Sequence, residues 1–120
     1  MLHLSPQCRY YVYTGSCDMR KGFDSLCGTI SSEMKEDVFA GAVFIFLNRR
    51  RNQVKLLLWE GDGVALYHKR LERGTYELPA TGSSSPEAAS AAITAQQLLF
   101  ILQGVCLQKV HLRPRYQKAG

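Results

Sequence analysis

The sequence predicts a single α+β domain in which an antiparallel sheet of three to five strands packs against two main helices. Two patterns support this fold class. Apolar residues recur at helical spacing over residues 19–34, and three β-rich runs separated by turn signals follow over residues 42–71. A chain of 120 residues with 46% hydrophobic and 21% charged composition can bury roughly two-thirds of its unfolded surface in one core. These values exclude a disordered polypeptide and a multidomain enzyme.

The N-terminal third predicts one strand and one helix. Residues 10–14 are a short β-prone run that ends at Gly15, and Asp18 is a candidate N-cap for the helix that follows. Gly22 and Gly28 lower the helix propensity by about 1 kcal/mol each, so this helix must be stabilised by packing. Its apolar stripe consists of Met19, Phe23, Leu26, Ile30 and Met34.

The middle of the chain predicts an antiparallel meander of three runs, 42–48, 54–60 and 64–71. Asp62-Gly63 predicts a type I′ hairpin turn, which needs two residues that tolerate positive φ. The parity of pairing places two sets of side chains on opposite faces. One set is Lys55, Leu57, Trp59, Val64, Leu66, His68 and Arg70, and the other is Leu56, Leu58, Ala65, Tyr67, Lys69 and Leu71. Since neither set is purely polar, we expect helices to cover one face and the other to be a partly apolar contact surface with cations toward its edges.

The C-terminal third predicts a short fourth strand, a loop, a second helix and a tail. The strand is 75–78, and the residues near 80–92 are too poor in large apolar groups to join the core, which is typical of a mobile loop. Thr94 is the predicted cap of a helix that runs to Gln103. The apolar side of this helix is Leu98, Leu99, Ile101 and Leu102, and residues 109–120 form a basic tail.

The charge of the chain favours anionic partners. Fifteen Lys and Arg residues against ten Asp and Glu residues give a net charge of +5. The excess lies in two stretches, 49–73 and 109–120. Three successive guanidinium groups at a hairpin tip suit phosphate oxygens, although a charged turn can also serve solubility alone. The candidate nucleic-acid-binding residues are Arg49, Arg50, Arg51, Lys55, Lys69, Arg70 and Arg73.

Catalytic and metal-binding patterns are not predicted. The four cysteines match no zinc spacing and are interpreted as free thiols, and His3, His68 and His111 have no second ligand nearby in the sequence. A metal-dependent nuclease built on Asp18, Glu60 and Asp62 is disfavoured, because turn and cap roles account for these carboxylates. No cofactor is expected. We find no signal-peptide pattern and only strand-sized apolar runs, so a cytoplasmic protein with no membrane partner is expected.

Several ordered blocks of the sequence resemble one family. They read DMRKGFDSL at residues 18–26, GAVFIF at 41–46, NRRR at 48–51, KLL at 55–57 and KRLERG at 69–74. The blocks are similar to those of TnpB, the accessory protein encoded by the second open reading frame of the IS66 insertion sequences. The similarity covers residues 10–79, and 94–104 resembles the closing helix of the family. This resemblance implies a bacterial mobile-element protein that works beside a larger transposase and has no established catalytic activity.

The hypothesis drawn from the residues and the resemblance together is a non-catalytic accessory factor for DNA transposition. It would bind DNA, either element ends or target, through the cations of the hairpin region. The alternative is a protein adaptor that binds the transposase of the element through the mixed sheet face, with Leu57, Trp59 and Tyr67 as contact residues.

Overall fold

A computed structural model of the chain describes residues 7–78, 88–103, 105–106 and 111–112, and it has an α+β architecture. The strands are β1 (Tyr10–Tyr13), β2 (Val43–Leu47), β3 (Gln53–Trp59), β4 (Val64–Arg70), β5 (Ser90–Ile93), β6 (Val105–Cys106) and β7 (His111–Leu112). The helices are α1 (Phe23–Ser32), α2 (Ala95–Gln103) and a short 3-10 helix at Val38–Ala40. One sheet has the strand order β4-β3-β2-β1-β5, and β6 pairs with β7 in a second, two-stranded sheet.

The large sheet is mostly antiparallel, with one parallel pair. The predicted meander is confirmed for β2, β3 and β4, whose neighbours are antiparallel. By contrast, β1 lies parallel to β2, with Tyr10 opposite Val43. The connection between them contains α1, and a helical crossover of this kind returns the chain to the end of the sheet where a parallel strand must begin. The sequence patterns do not predict this parallel pairing.

Both faces of the sheet are covered at its centre. Leu26 and Ile30 of α1 pack with Phe44 on what we call the α1 face, and Leu98 of α2 packs with Ile45 on the α2 face. All five residues of β2 are therefore buried. The expectation that helices cover only one face was wrong, because the crossover and the C-terminal helix lie on opposite sides of the sheet.

The first helix begins later than predicted. Asp18 is not its N-cap, since α1 starts at Phe23 with Gly22 in the capping position. The Asp18 carboxylate instead accepts a hydrogen bond from the backbone N–H of Arg20 at 2.9 Å, which fixes a local turn. The rest of the predicted apolar stripe is largely confirmed, because Leu26, Ile30 and Met34 are buried.

The fourth strand of the prediction is replaced by a different one. Residues 75–78 are not a strand, because the N–H of Tyr76 donates to the carbonyl oxygen of Arg51 at 2.6 Å and the Tyr76 ring is buried. The edge strand is instead β5, which pairs with β1. The predicted loop at 80–92 therefore cannot extend through residues 90–92, and residues 79–87 lie outside the described part of the chain. So do Gly104 and the side chains of the predicted basic tail.

The turn between β3 and β4 differs in type from the predicted one. The β3–β4 turn has Gly61 and Asp62 at its centre, closed by a 2.9 Å hydrogen bond from the N–H of Glu60 to the carbonyl oxygen of Gly63. Gly61 has a φ of 96°, so the glycine needed at positive φ is the first central residue, as in type II′ turns, and not Gly63. The predicted face parity is nevertheless confirmed, because the loop still contains two residues.

The second helix is confirmed with its cap. Thr94 accepts a hydrogen bond from the N–H of Gln97 at 3.0 Å, and the Gln97 side chain accepts one from the N–H of Thr94 at 2.8 Å. This reciprocal capping box satisfies two N–H groups at the helix start. None of the described helices is long and apolar enough to cross a membrane.

Candidate nucleic-acid interface

Three segments of the chain meet at one end of the large sheet. The β2–β3 turn lies there, and because β4 is antiparallel to β3, the last residue of β4, Arg70, lies opposite Gln53 at the same end. The segment after β4 is held there too, since the N–H of Leu71 donates to the carbonyl oxygen of Asn52 at 2.7 Å. We call this region the basic end. Its exposed cations are Arg49, Arg50, Arg51, Lys69, Arg70 and Arg73.

The turn that carries three of these arginines is fixed by Asn48. The Asn48 carbonyl oxygen accepts from the N–H of Arg51 at 3.0 Å, and its side-chain oxygen accepts from the N–H of Gln53 at 2.9 Å. Its amide nitrogen donates to the side chain of Asn52 at 2.7 Å. Arg51 has a left-handed backbone with a φ of 57°. The local hydrogen bonds therefore hold the arginines in one defined turn.

The cations of the basic end are almost free of carboxylate partners. Within the described residues, the one such contact is Arg70 to Glu72 at 3.9 Å, between side chains that are 66% and 61% exposed. An exposed pair at this distance contributes little. Lys69 and Arg70 are successive strand residues and point to opposite faces of the sheet. The positive surface thus surrounds the sheet end and does not lie flat on one face.

Lys55 does not belong to this surface. It is only 5% exposed, and its Nζ donates hydrogen bonds to the carbonyl oxygens of Met19 at 2.8 Å and Lys21 at 2.6 Å. Its position on the α1 face places it under the segment that precedes α1. Lys55 therefore fastens that segment to the sheet, and its inclusion among surface cations is corrected. No local signal in the strand indicated this burial, because the flanking Val54 and Leu56 point to the opposite face of the sheet.

The three residues considered for an adaptor surface are not brought together. Leu57 is fully buried, and Trp59 is half-buried on the same α1 face. Tyr67 is 39% exposed on the opposite face. Phe39, which no sequence pattern indicated, is 66% exposed and packs edge-on against Trp59 with ring centroids 4.9 Å apart. This exposed pair lies at the end of the sheet remote from the basic end.

Carboxylates gather at that remote end. Glu60 and Asp62 lie in the β3–β4 turn, and Glu36 and Asp37 precede the 3-10 helix that carries Phe39. Asp18 lies elsewhere, because the N–H of neighbouring Cys17 donates to the carbonyl oxygen of Leu47 at the other end of the sheet. The nuclease arrangement of Asp18, Glu60 and Asp62 is therefore not formed. The described residues contain no group of three His, Cys, Asp or Glu side chains that could hold a metal ion.

Two titrating groups report on the local charge. Asp18 binds the guanidinium of Arg20, with a shortest contact of 2.6 Å, and these hydrogen bonds lower the pKa of Asp18 to about 2. His68 lies opposite Lys55 and within 2.9 Å of the Gln53 side-chain oxygen. The pKa of His68 is lowered by partial burial and by the charges of Lys55 and Arg70. These charges therefore disfavour the protonated imidazole of His68.

One protein family and two uncharacterized proteins are similar to this chain. A family model described as IS66 Orf2 like protein matches residues 8–112. Over 105 residues, the chain is 33% identical to the uncharacterized protein y4hO of Sinorhizobium fredii. These residues make up 88% of this chain and 87% of that relative. It is 30% identical over 79 residues to the uncharacterized protein y4jC of the same organism, or 66% of this chain and 68% of that relative. No solved structure matches the chain significantly.

Proposed function

Because the chain belongs to the IS66 Orf2-like family, whose members are accessory proteins of insertion-sequence transposition, we propose that it is a non-catalytic factor that binds DNA. The DNA would be the element ends or the target, and it would contact the basic end. The observation that carries the proposal is the convergence of six exposed cations from three segments, which make a single weak carboxylate contact within the described part of the chain.

Binding of this kind has a characteristic salt dependence. Each phosphate neutralised by Lys or Arg releases counterions, so six contacts predict a slope of log K against log salt of about −5 on duplex DNA. Affinity should then fall on the order of 10³-fold between about 50 and 200 mM salt. Since the basic end presents arginines from a turn and not a helix or ribbon fitted to a groove, we expect little sequence preference from it alone.

The experiment compares two charge-matched double variants by fluorescence anisotropy on duplex and single-stranded DNA. Arg49→Ala with Arg50→Ala should weaken binding and make the duplex salt slope less negative by about 2. Arg51 is kept, because its left-handed backbone makes alanine there a structural change as well. The control, Arg9→Ala with Lys35→Gly, removes the same charge away from the basic end and should leave the slope unchanged. Glycine is used there because Lys35 also has a left-handed backbone, with a φ of 58°. Absence of binding at about 50 mM salt, or equal effects of both variants, would reject the proposal.

A second candidate function is an adaptor that binds the transposase of the element. The observation that favours it is the exposed Phe39 ring packed on Trp59, which is a surface remote from the basic end. Co-purification of the transposase with the wild-type chain, its loss with Phe39→Ala and its retention with Phe23→Ala would support the adaptor. Phe23 is a matched control, because it is a phenylalanine that is 50% exposed at the start of α1. Retention with Phe39→Ala would contradict this role.

A further inference from the structure

A small cleft lies beside the basic end, between the segment 14–16 and the turn 48–51. Its volume is about 100 Å³, and its polar lining residues are Thr14, Gly15, Ser16, Asn48, Arg49 and Arg51. Among the residues that the structure describes, no carboxylate lines it. We propose that this cleft binds a single phosphate group. The proposal deepens the proposed function, on which it rests only for the identity of the molecule that carries the phosphate.

The first wall of the cleft is fixed before any ligand binds. The N–H of Thr14 donates to the carbonyl oxygen of Ala89 at 3.0 Å, and its hydroxyl donates to that of Ala88 at 2.7 Å. Gly15 lies so close to the Tyr13 side chain that an added Cβ would be 3.1 Å from two ring carbons and 3.1 Å from the hydroxyl oxygen. The Tyr13 hydroxyl in turn donates to Glu33 at 2.9 Å. This wall is therefore preorganised, which reduces the entropy lost on binding.

The same wall offers hydrogen-bond donors that are not used. The backbone N–H groups of Gly15 and Ser16 and the Ser16 hydroxyl have no acceptor among the described residues. Adjacent backbone N–H groups in a turn are a recurrent way of holding an anion. These three donors and the Arg side chains opposite are the chemistry that phosphate oxygens require.

The second wall adds positive charge. Arg49 and Arg51 line it, and the hydrogen bonds of Asn48 hold their turn in place. The two walls are tied together because the N–H of Cys17 donates to the carbonyl oxygen of Leu47 at 2.9 Å. A guanidinium group can donate two parallel hydrogen bonds to one phosphate.

The cleft is large enough for the proposed ligand, since a volume of about 100 Å³ has room for one phosphate group. The phosphate can come from a strand terminus, from a phosphodiester of the DNA backbone or from free inorganic phosphate. These sources share one chemistry and are separated by experiment.

The test follows backbone amide signals by ¹H–¹⁵N NMR during titration with inorganic phosphate. The Gly15 and Ser16 signals should shift and saturate, and Arg49→Gln should weaken this binding by about fivefold or more. Arg73→Gln removes one charge at the same end but outside the cleft lining, and it should change the binding by less than about twofold. Equal shifts with chloride at the same ionic strength, or equal effects of the two variants, would overturn the cleft site.

Oligonucleotides then identify the source. If a 5′-phosphorylated strand binds more tightly than its 5′-hydroxyl counterpart and shifts Gly15 and Ser16, the cleft takes a terminal phosphate. If the two bind equally and both shift these signals, it takes a phosphodiester. If inorganic phosphate shifts these signals and DNA binds without shifting them, the cleft takes free phosphate and the proposed function still stands. DNA binding with no shift from either ligand overturns the cleft site and leaves the proposed function standing. Saturable phosphate binding without DNA binding supports the cleft site and rejects the proposed function.

Discussion

Replacing Lys55 with Met tests whether this residue is a structural fastener or a DNA contact. The substitution removes the ammonium group and keeps an unbranched side chain of similar length. Lys55 Nζ donates two hydrogen bonds, at 2.8 Å to the carbonyl oxygen of Met19 and at 2.6 Å to that of Lys21. Both bonds are lost in the variant, and two carbonyl groups over a buried strand lose their donor.

The magnitude follows from these contacts. A hydrogen bond with a charged partner contributes about 1.5–3 kcal/mol, so the pair sets an upper limit of about 6 kcal/mol. Burial of the apolar Met side chain offsets part of this loss, and we expect Lys55→Met to reduce the free energy of unfolding by about 2–4 kcal/mol. For a chain of 120 residues, this corresponds to a decrease in Tm of roughly 8–16 °C.

The assay combines urea unfolding with the salt dependence of DNA binding. Lys69→Met is the matched control, because it removes the same charge from an exposed position on β4. We expect it to change stability by less than about 0.5 kcal/mol and to make the salt slope less negative by about 1. Lys55→Met should do the reverse, with lower stability and an unchanged slope. Equal stability of the two variants, with a changed slope for Lys55→Met, would refute the fastening role.

Three further predictions concern pH and capping. The pKa of His68 should rise when DNA binds, because phosphates favour the imidazolium form that Lys55 and Arg70 disfavour. NMR titrations with and without DNA measure this pKa, and an unchanged value would place the DNA away from β4. The pKa of Asp18 is lowered from 3.8 to about 2, so the stabilisation is present above about pH 4 and is lost toward pH 2. The Tm difference between wild type and Asp18→Asn should shrink over that range, and a constant difference would contradict the ion pair. Thr94→Ala should lower the free energy of unfolding by about 1 kcal/mol, and Thr94→Ser should restore most of it in the same urea assay.

The parts of the fold that could be predicted are those set by local signals. The hairpin of β3 and β4 follows from alternating side chains and a glycine-containing turn, and α2 follows from Thr94 and an apolar stripe. The parallel pairing of β1 with β2 could not be predicted in this way, because it depends on where α1 packs. The edge strand β5 was missed because its Ser and Ala residues carry no β-propensity signal of their own.

The candidate site also contains parts that local sequence signals could predict and parts that they could not. The cations of the β2–β3 turn and of the end of β4 could be placed together from strand order alone, since antiparallel neighbours share an end. The burial of Lys55 could not, because it depends on carbonyl groups of a segment more than thirty residues away in the chain. The cleft at Gly15 and Ser16 likewise needs the parallel pairing, which brings the end of β1 beside the end of β2.

The separation of charge along the strands gives the molecule an electric dipole. A polyanion attracts the arginine-bearing pole and repels the pole that carries Glu36, Asp37, Glu60 and Asp62. A copy seated on DNA would therefore stand with its strands directed away from the double helix. In that orientation the Phe39 ring faces outward, and a row of bound copies would present a row of aromatic side chains to the surrounding solution.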